Sequence, residues 1–367
     1  MGRKIFSSGR GILLGVVAIG LVFGVLANVK AAPSGPYFQK KVIIFVVPFP
    51  AGGGTDVWGR MIARYLGQYI PGNPKIVIRN MPGAGTIIGG NTVWNSKRNG
   101  LTVLATSGGV VMENITRPKG IEFKLQEMYP MYSSPIGLVY FAKAGLAKEP
   151  KDVFTAKGLI FGHMPPTGGV SSGFVWAKEL LEFPTEKMIL AYSGSGDTRL
   201  AFLSGELNCT GDSTFGYNAA MKPYADRGEI VPIFQSGMMD ENGNIVREPA
   251  APNVPTAPEL YEQVYGKKPS GPIWEIYKLV VGSRTYGKCI VLPPKTPPEL
   301  LDIYREAVAK MVKDPKFLAD AEKENPQAPH FFGKALAQVY PKGVSAPADV
   351  VEHMKKILWE KYKARLE

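Results

Sequence analysis

The stretch Pro50-Ala51-Gly52-Gly53-Gly54-Thr55-Asp56 sets three consecutive glycines beside a hydroxyl and a carboxylate, just after the apolar run Val42 to Val47. Glycine lets the backbone come close to a small molecule, and a helix beginning behind it offers unpaired N–H groups that favour an anion. Thr55 adds a hydroxyl. Asp56 has two readings, a cap on the following helix or an acceptor for a donor on the ligand. A second turn, Asn80-Met81-Pro82-Gly83-Ala84-Gly85-Thr86, repeats the small-residue inventory, and Ser107-Gly108-Gly109 does so a third time. Backbone donors and hydroxyls with few catalytic side chains among them suit the holding of a carboxylate.

Other chemistries fit less well. Neither of the first two loops ends in the Gly-Lys-Ser/Thr of a nucleoside triphosphate P-loop. Gly83-Ala84-Gly85 with Gly89 gives only a loose GxGxxxG, and Pro82 interrupts the strand-to-helix turn that a dinucleotide fingerprint requires. Gly169-Val170-Ser171-Ser172-Gly173 matches the GxSxG pattern of a nucleophile elbow, with His330 or His353 as a later partner. Met164 to Gly168 separates it from the preceding strand, however, so hydroxyls and glycines at a helix start are the better reading. The three histidines and two cysteines lack metal-ligand spacing, and neither a metal nor an organic cofactor is expected. Cys209 and Cys289 read as buried free thiols. Arg79 and Arg199 are either counter-ions for an anion or surface residues. Among Trp58, Trp94, Trp176 and Trp274, Trp176 is best placed to approach a ligand, because it follows a candidate loop.

Arg3, Lys4 and Arg10 precede the apolar run Gly11 to Ala27, and small residues follow. That is the order of a secretory signal peptide over residues 1–31, with Val29-Lys30-Ala31 as cleavage site, so the protein is expected in the periplasm. Uncleaved, the leader would serve as a membrane anchor. The rest is long enough for two domains, and 45% hydrophobic against 20% charged residues supports packed cores rather than disorder. Net charge is +12; Arg3, Lys4, Arg10 and Lys30 belong to the leader, leaving +8. The basic residues are scattered, which favours acidic metabolites over nucleic acid as partners.

To position the loops the chain uses a β–α rhythm. Strands at Val42 to Val47, Lys75 to Ile78 and Leu101 to Thr106 each end in a Gly, Ser or Thr loop, and helices follow the first two. This predicts an α/β fold with an open parallel sheet, in which ligands sit beyond the carboxyl ends of the strands. Gly137 to Lys143 reads as a strand that hands the chain to a second lobe. There the rhythm restarts with strands at Leu159 to Gly162, Met188 to Tyr192, Leu207 to Thr210 and Ile230 to Phe234, and helices at Phe174 to Leu181 and Thr198 to Ser204. Met238 to Pro258 reads as a connection, Ile276 to Val281 and Lys288 to Leu292 as strands. Thr296 is the expected N-cap of a helix with Pro297 at its first position, and the remainder is largely helical. The lobes are expected over residues 41–143, 144–255 and 256–367, the first interrupted by the second.

The run Val47 to Asp56, followed by Asn80-Met81-Pro82-Gly83-Ala84-Gly85, resembles the opening of the Bug family, periplasmic receptors of tripartite tricarboxylate transporters. The likeness continues through Tyr192 to Asp197, Leu203 to Leu207, Val254 to Glu259 and Pro293 to Glu299. The resemblance implies a two-lobed, type II-like periplasmic binding protein, each lobe a sheet flanked by helices, with the ligand cleft between lobes. It implies a non-enzymatic monomer that closes on a small organic anion, a carboxylate, and delivers it to large and small membrane subunits. The family's first carboxylate site maps to Pro50, Ala51, Gly52, Gly53, Thr55 and Asp56 with Gly83, Ala84, Gly85 and Thr86, beside the Ser107 loop. The second lobe contributes positions matching Thr167, Gly168, Gly169 and Ser171, together with Asp212 and Ser213. Pro165-Pro166-Thr167, Asn208-Cys209-Thr210 and an inserted Met238–Glu248 segment depart from the family pattern near the distal end of the ligand. Alternatives are a ligand sensor for a signalling partner and a secreted serine hydrolase.

Overall fold

The apolar, β-branched run Val42–Val47 forms β1, and the glycine turn behind it delivers the chain into α1 (Gly54–Tyr69). Trp58, Met61, Ile62, Tyr65 and Leu66 recur at helical spacing on α1 and are buried in one core cluster with Phe45 and Val47. The computed structural model describes residues 36–240 and 243–364, so the expected leader lies outside the described residues. β2 (Lys75–Asn80), α2 (Ile87–Trp94), β3 (Thr102–Ala105) and α3 (Gly108–Thr116) repeat the unit. β1 pairs in parallel with both β2 and β3, Ile44 lying opposite Val77 on one side and Thr102 on the other. β4 (Tyr129–Ser134) follows.

After β4 the chain crosses to a second sheet. Its members are β5 (Leu138–Lys143), β6 (Ile160–His163) with α4 (Gly169–Leu181), β7 (Lys187–Leu190) with α5 (Ser195–Ser204), and β8 (Cys209–Ser213). A helical run of α6 (Thr214–Gly216), a π-turn (Tyr217–Met221) and α7 (Lys222–Asp226) leads to β9 (Ile230–Gln235). The strand order is β7-β6-β8-β5-β9. A small hairpin, β10 (Met238–Met239) and β11 (Ile245–Val246), precedes α8 (Ala257–Tyr265), which a Thr256/Glu259 capping box starts. Then α9 (Pro272–Thr285) leads to β12 (Lys288–Leu292), which inserts between β3 and β4 and is antiparallel to both. α10 (Pro298–Met311), α11 (Pro315–Glu324), β13 (Phe331–Phe332), α12 (Gly333–Gly343) and α13 (Ala348–Tyr362) complete the chain. The first sheet reads β13-β4-β12-β3-β1-β2. Two sheets flanked by helices make the α/β class that the β–α rhythm predicts. Among the described residues no helix is long and apolar enough to cross a membrane.

Four local expectations are corrected. Leu138–Lys143, placed by sequence at the end of the first lobe, pairs antiparallel with β8 and β9, so the hand-over comes just before it. Ile276 to Val281 is helix, not strand: Pro272 starts α9, and the buried Ile276, Tyr277, Val280 and Val281 follow a helical period. α4 begins at Gly169, five residues earlier than expected, because Val170 and Phe174 already face the core at i, i+4 spacing. Thr296 does not cap α10; its hydroxyl donates to Pro293 O at 2.8 Å, and Pro297 is the residue that precedes the helix.

The main core cluster draws on both sheets, from Leu104 and Val291 in the first to Leu138 and Tyr140 in the second. Phe161 and Phe174 stack within it with ring centroids 3.5 Å apart. Trp176 belongs to this core at 0% exposure, so it does not approach a ligand. Burial of each such side chain contributes roughly 1.5–3 kcal/mol. Cys209 and Cys289 are buried and free, as expected.

Candidate functional site

The first loop is shaped by Asp56. Gly52 adopts φ 81°, open to glycine at no steric cost, and its amide donates to Asp56 Oδ2 at 2.9 Å. Arg60 Nε reaches the same oxygen at 2.9 Å, while Asn80 Nδ2 donates to Asp56 Oδ1 at 2.9 Å and to Phe49 O at 3.0 Å. Burial works to raise the Asp56 carboxyl, but the hydrogen bonds from Arg60, Gly52 and Asn80 outweigh it and hold it below its usual value. Asp56 is thus the internal brace of the loop. Arg79, on the edge strand β2, is exposed.

Beyond the brace, the beginnings of four helices face one cavity of about 110 Å³. From the first lobe come Pro50, Ala51, Gly53, Gly54 and Thr55 at the start of α1, and Ser107 and Gly108 at the start of α3. From the second come Gly169 and Val170 on α4, Gly194 to Asp197 on α5, and Ser213. Ser107 caps α3 by accepting from Val110 N at 3.3 Å, and Ser213 accepts from Gly216 N at 3.1 Å. Unpaired amides at the first turns and the aligned peptide dipoles make these ends electropositive. The lobes meet across the cleft: a Cβ placed on Gly54 would lie 2.7 Å from Ser213 Oγ.

Two cations complete the lining, and neither was singled out by sequence. Lys288, at the first position of β12, is 3% exposed and donates to Thr55 Oγ1 at 2.7 Å. Arg284, on α9, is 6% exposed and donates to Ile136 O at 3.1 Å and Gly169 O at 3.1 Å. Among the described residues neither forms an ion pair with an acid. Burial, reinforced by Arg284, pushes the Lys288 ammonium well below the usual lysine range, against the pull of Asp212. The signal was present but faint. Lys288 opens an otherwise apolar strand, and Arg284 continues the buried face of Tyr277 and Val280. Gly194 to Asp197, at the start of α5, line the cavity as well, although none is among the residues expected at the site.

Several expected site residues stand off the cavity. Gly83, Ala84 and Gly85 form a turn with positive φ in which Gly83 packs against Ile88 and Gly85 against Glu113: a Cβ on Gly85 would lie 2.6 Å from Glu113 Oε1. Thr86 is fully buried behind it. Glu113 in turn accepts from Thr167 Oγ1 at 2.8 Å, which joins α3 to the loop before α4. Burial lifts the Glu113 carboxyl to about 7 although Thr167 opposes the shift. Gly168 sits at the N-cap of α4. Ser171 is fully buried on α4, donates to Met164 O at 2.5 Å and does not line the cavity. His330 stacks on Tyr132 and hydrogen-bonds its hydroxyl at 2.8 Å, so the GxSxG match does not form an elbow with it. Asp212 is buried and paired with Arg199 at 2.5 Å; Arg199 is therefore engaged within the second lobe.

No family model matches the chain. Protein BugT of Bordetella pertussis is 33% identical over 121 residues, 32% of this chain and 36% of its own length. The chain thus matches only about a third of that relative. A protein of Cupriavidus necator, described as UPF0065 protein in gbd 5' region, is 21% identical over 361 residues, 96% of this chain and 98% of its own. Among solved structures, the periplasmic binding protein BugD superposes with a TM-score of 0.63 at 17% identity, covering 90% of this chain and 99% of its own. The fold is that of a Bug-type periplasmic binding protein. MatC of Rhodopseudomonas palustris with bound malate shares that fold at a TM-score of 0.63 and 16% identity, over 87% of this chain and 99% of its own. The R. palustris protein Rpa4515 with adipate does so at 0.63 and 18%, over 87% and 96%. In this Bug-type frame the cleft between the two sheets is the place where the four helix starts converge.

Proposed function

We propose that the protein is an extracytoplasmic solute receptor that closes its two lobes on a small organic carboxylate. The bound form is then passed to the large and small membrane subunits of a tripartite tricarboxylate-type transporter. The observation that carries this reading is the cavity itself, ringed by helix starts from both lobes and by Lys288 and Arg284. Such a site stabilises an anion through fixed backbone donors and charge without any bond being made. The malate and adipate held by two neighbours of the same fold support the carboxylate class. Export to the periplasm agrees with the leader-like first residues. The chain passes from one sheet to the other near Ile136, where Arg284 is anchored; a hinge there would make affinity depend on an opening and closing equilibrium.

A thermal-shift screen of mono-, di- and tricarboxylates, with a sugar and a cationic amino acid as controls, tests the reading. A ligand at a hundredfold excess over its Kd should add about 2.7 kcal/mol to stability. Stabilisation by a control compound and by none of the acids would overturn it.

A further inference from the structure

Lys288 and Arg284 are two like charges lining one cavity, and neither has a carboxylate within ion-pair reach among the described residues. Arg284 is satisfied by carbonyl oxygens and stays charged at any ordinary pH. Among the described residues Lys288 Nζ has one hydrogen-bond partner, the neutral hydroxyl of Thr55, and it carries three donors when charged. A buried ammonium in that setting is costly until an anion arrives.

We propose that Lys288 is the direct counter-ion of the bound anion and that binding draws one proton from solvent onto its Nζ. This rests on the carboxylate reading of the cleft and adds to it a named contact and a proton. In the ligand-free cleft, burial and the neighbouring guanidinium favour the neutral amine. A carboxylate seated against the start of α1 reverses the balance: the Nζ lone pair takes a proton from the buffer acid, and the new ammonium faces the ligand. The groups around Nζ are consistent with this. Arg284 on α9 opposes the charge, while Asp212 on β8 favours it but is already engaged by Arg199 on α5. Glu248 is committed to the Gly137 amide and Thr214, and its field acts on Arg284. Glu324 on α11 lines a smaller void that Lys288 also borders. Asp197, exposed at the start of α5, stands at the mouth of the cavity.

The test is calorimetric titration of the full chain with acetate, succinate and citrate, in buffers of different ionisation enthalpy, over a pH series. The wild-type protein should take up close to one proton per bound anion at some pH in the series. Lys288→Arg, which carries its proton permanently, should still bind but without uptake. Lys288→Met should bind at least tenfold more weakly and also without uptake. If Lys288→Met fails to melt cooperatively, Lys288→Arg decides alone. Binding by the wild-type protein with no uptake at any pH would overturn the proposal, as would uptake retained in Lys288→Arg, which would assign the proton to a buried acid. Undiminished affinity in a folded Lys288→Met would overturn it too. Each of these leaves the receptor reading intact, whereas binding of none of the three acids removes both.

Discussion

Lys288 Nζ lies 2.7 Å from Thr55 Oγ1, which ties the first residue of β12 to the first turn of α1 across 233 positions of sequence. Replacing Thr55 with Val keeps the side-chain volume and removes the acceptor. The buried amine is then left unmet, at a cost of about 1–3 kcal/mol. Urea unfolding should show the loss for Thr55→Val and its recovery in Thr55→Ser. An unchanged midpoint would mean that the hydroxyl does not hold Lys288.

Gly54 faces Ser213 across the cleft, with room for hydrogen and nothing larger. Gly54→Val should therefore obstruct closure while leaving each lobe folded. The expected outcome is at least tenfold weaker anion binding, since about 1.4 kcal/mol of lost closure energy already gives that factor. Small-angle scattering should show the variant staying open at saturating ligand. A closed, tight-binding variant would refute the contact.

Glu113 titrates at about 7 in the folded protein against 4.5 for an ordinary glutamate. Below the lower value both states hold the proton. Between the two, the folded state keeps a proton that the unfolded chain releases, so unfolding free energy falls as pH rises through that window. The loss is on the order of 3 kcal/mol by pH 7 and above. Glu113→Gln retains an acceptor for Thr167 and carries no charge. Denaturation measured from pH 4 to 8 should show a flatter profile for the variant than for the wild type; parallel profiles would place the buried proton elsewhere.

Arg199 compensates Asp212, which burial pushes above the usual carboxylate range and Arg199 pulls back. Arg199→Met strands that carboxylate in the second lobe and should cost about 3–5 kcal/mol. Adding Asp212→Asn should restore part of the loss in a double-mutant cycle. Purely additive effects would show that the two groups are not coupled.

Much of the architecture was legible because its rules are local. Apolar runs ending in small-residue loops declared β1, β3, β6 and β8, and the residues that face the cavity lie where those loops end. Pro50, Ala51, Gly53, Thr55, Ser107, Gly169 and Ser213 are at the cavity for that reason. Local reading failed where an apolar run fits two periods, as at Ile276 to Val281, where strand and helix are told apart only by which face is buried. It also could not tell a loop beside a ligand from a loop beside another side chain. Gly83 to Gly85 has the composition of a ligand cradle, yet Gly83 is packed against Ile88 and Gly85 against Glu113.

Sequence alone determined the α/β rhythm, the glycine turns at strand ends and the lack of a P-loop motif in them, because each depends on neighbours within a few residues. Only the tertiary structure decided the charge of the site. β12 and α9 return late in the chain, and the insertion of β12 beside β3, with the Arg284 bond to Gly169, sets Lys288 and Arg284 against loops encountered far earlier. A strand's partners are chosen by the packing of the whole sheet, and with them the charge that faces the cavity.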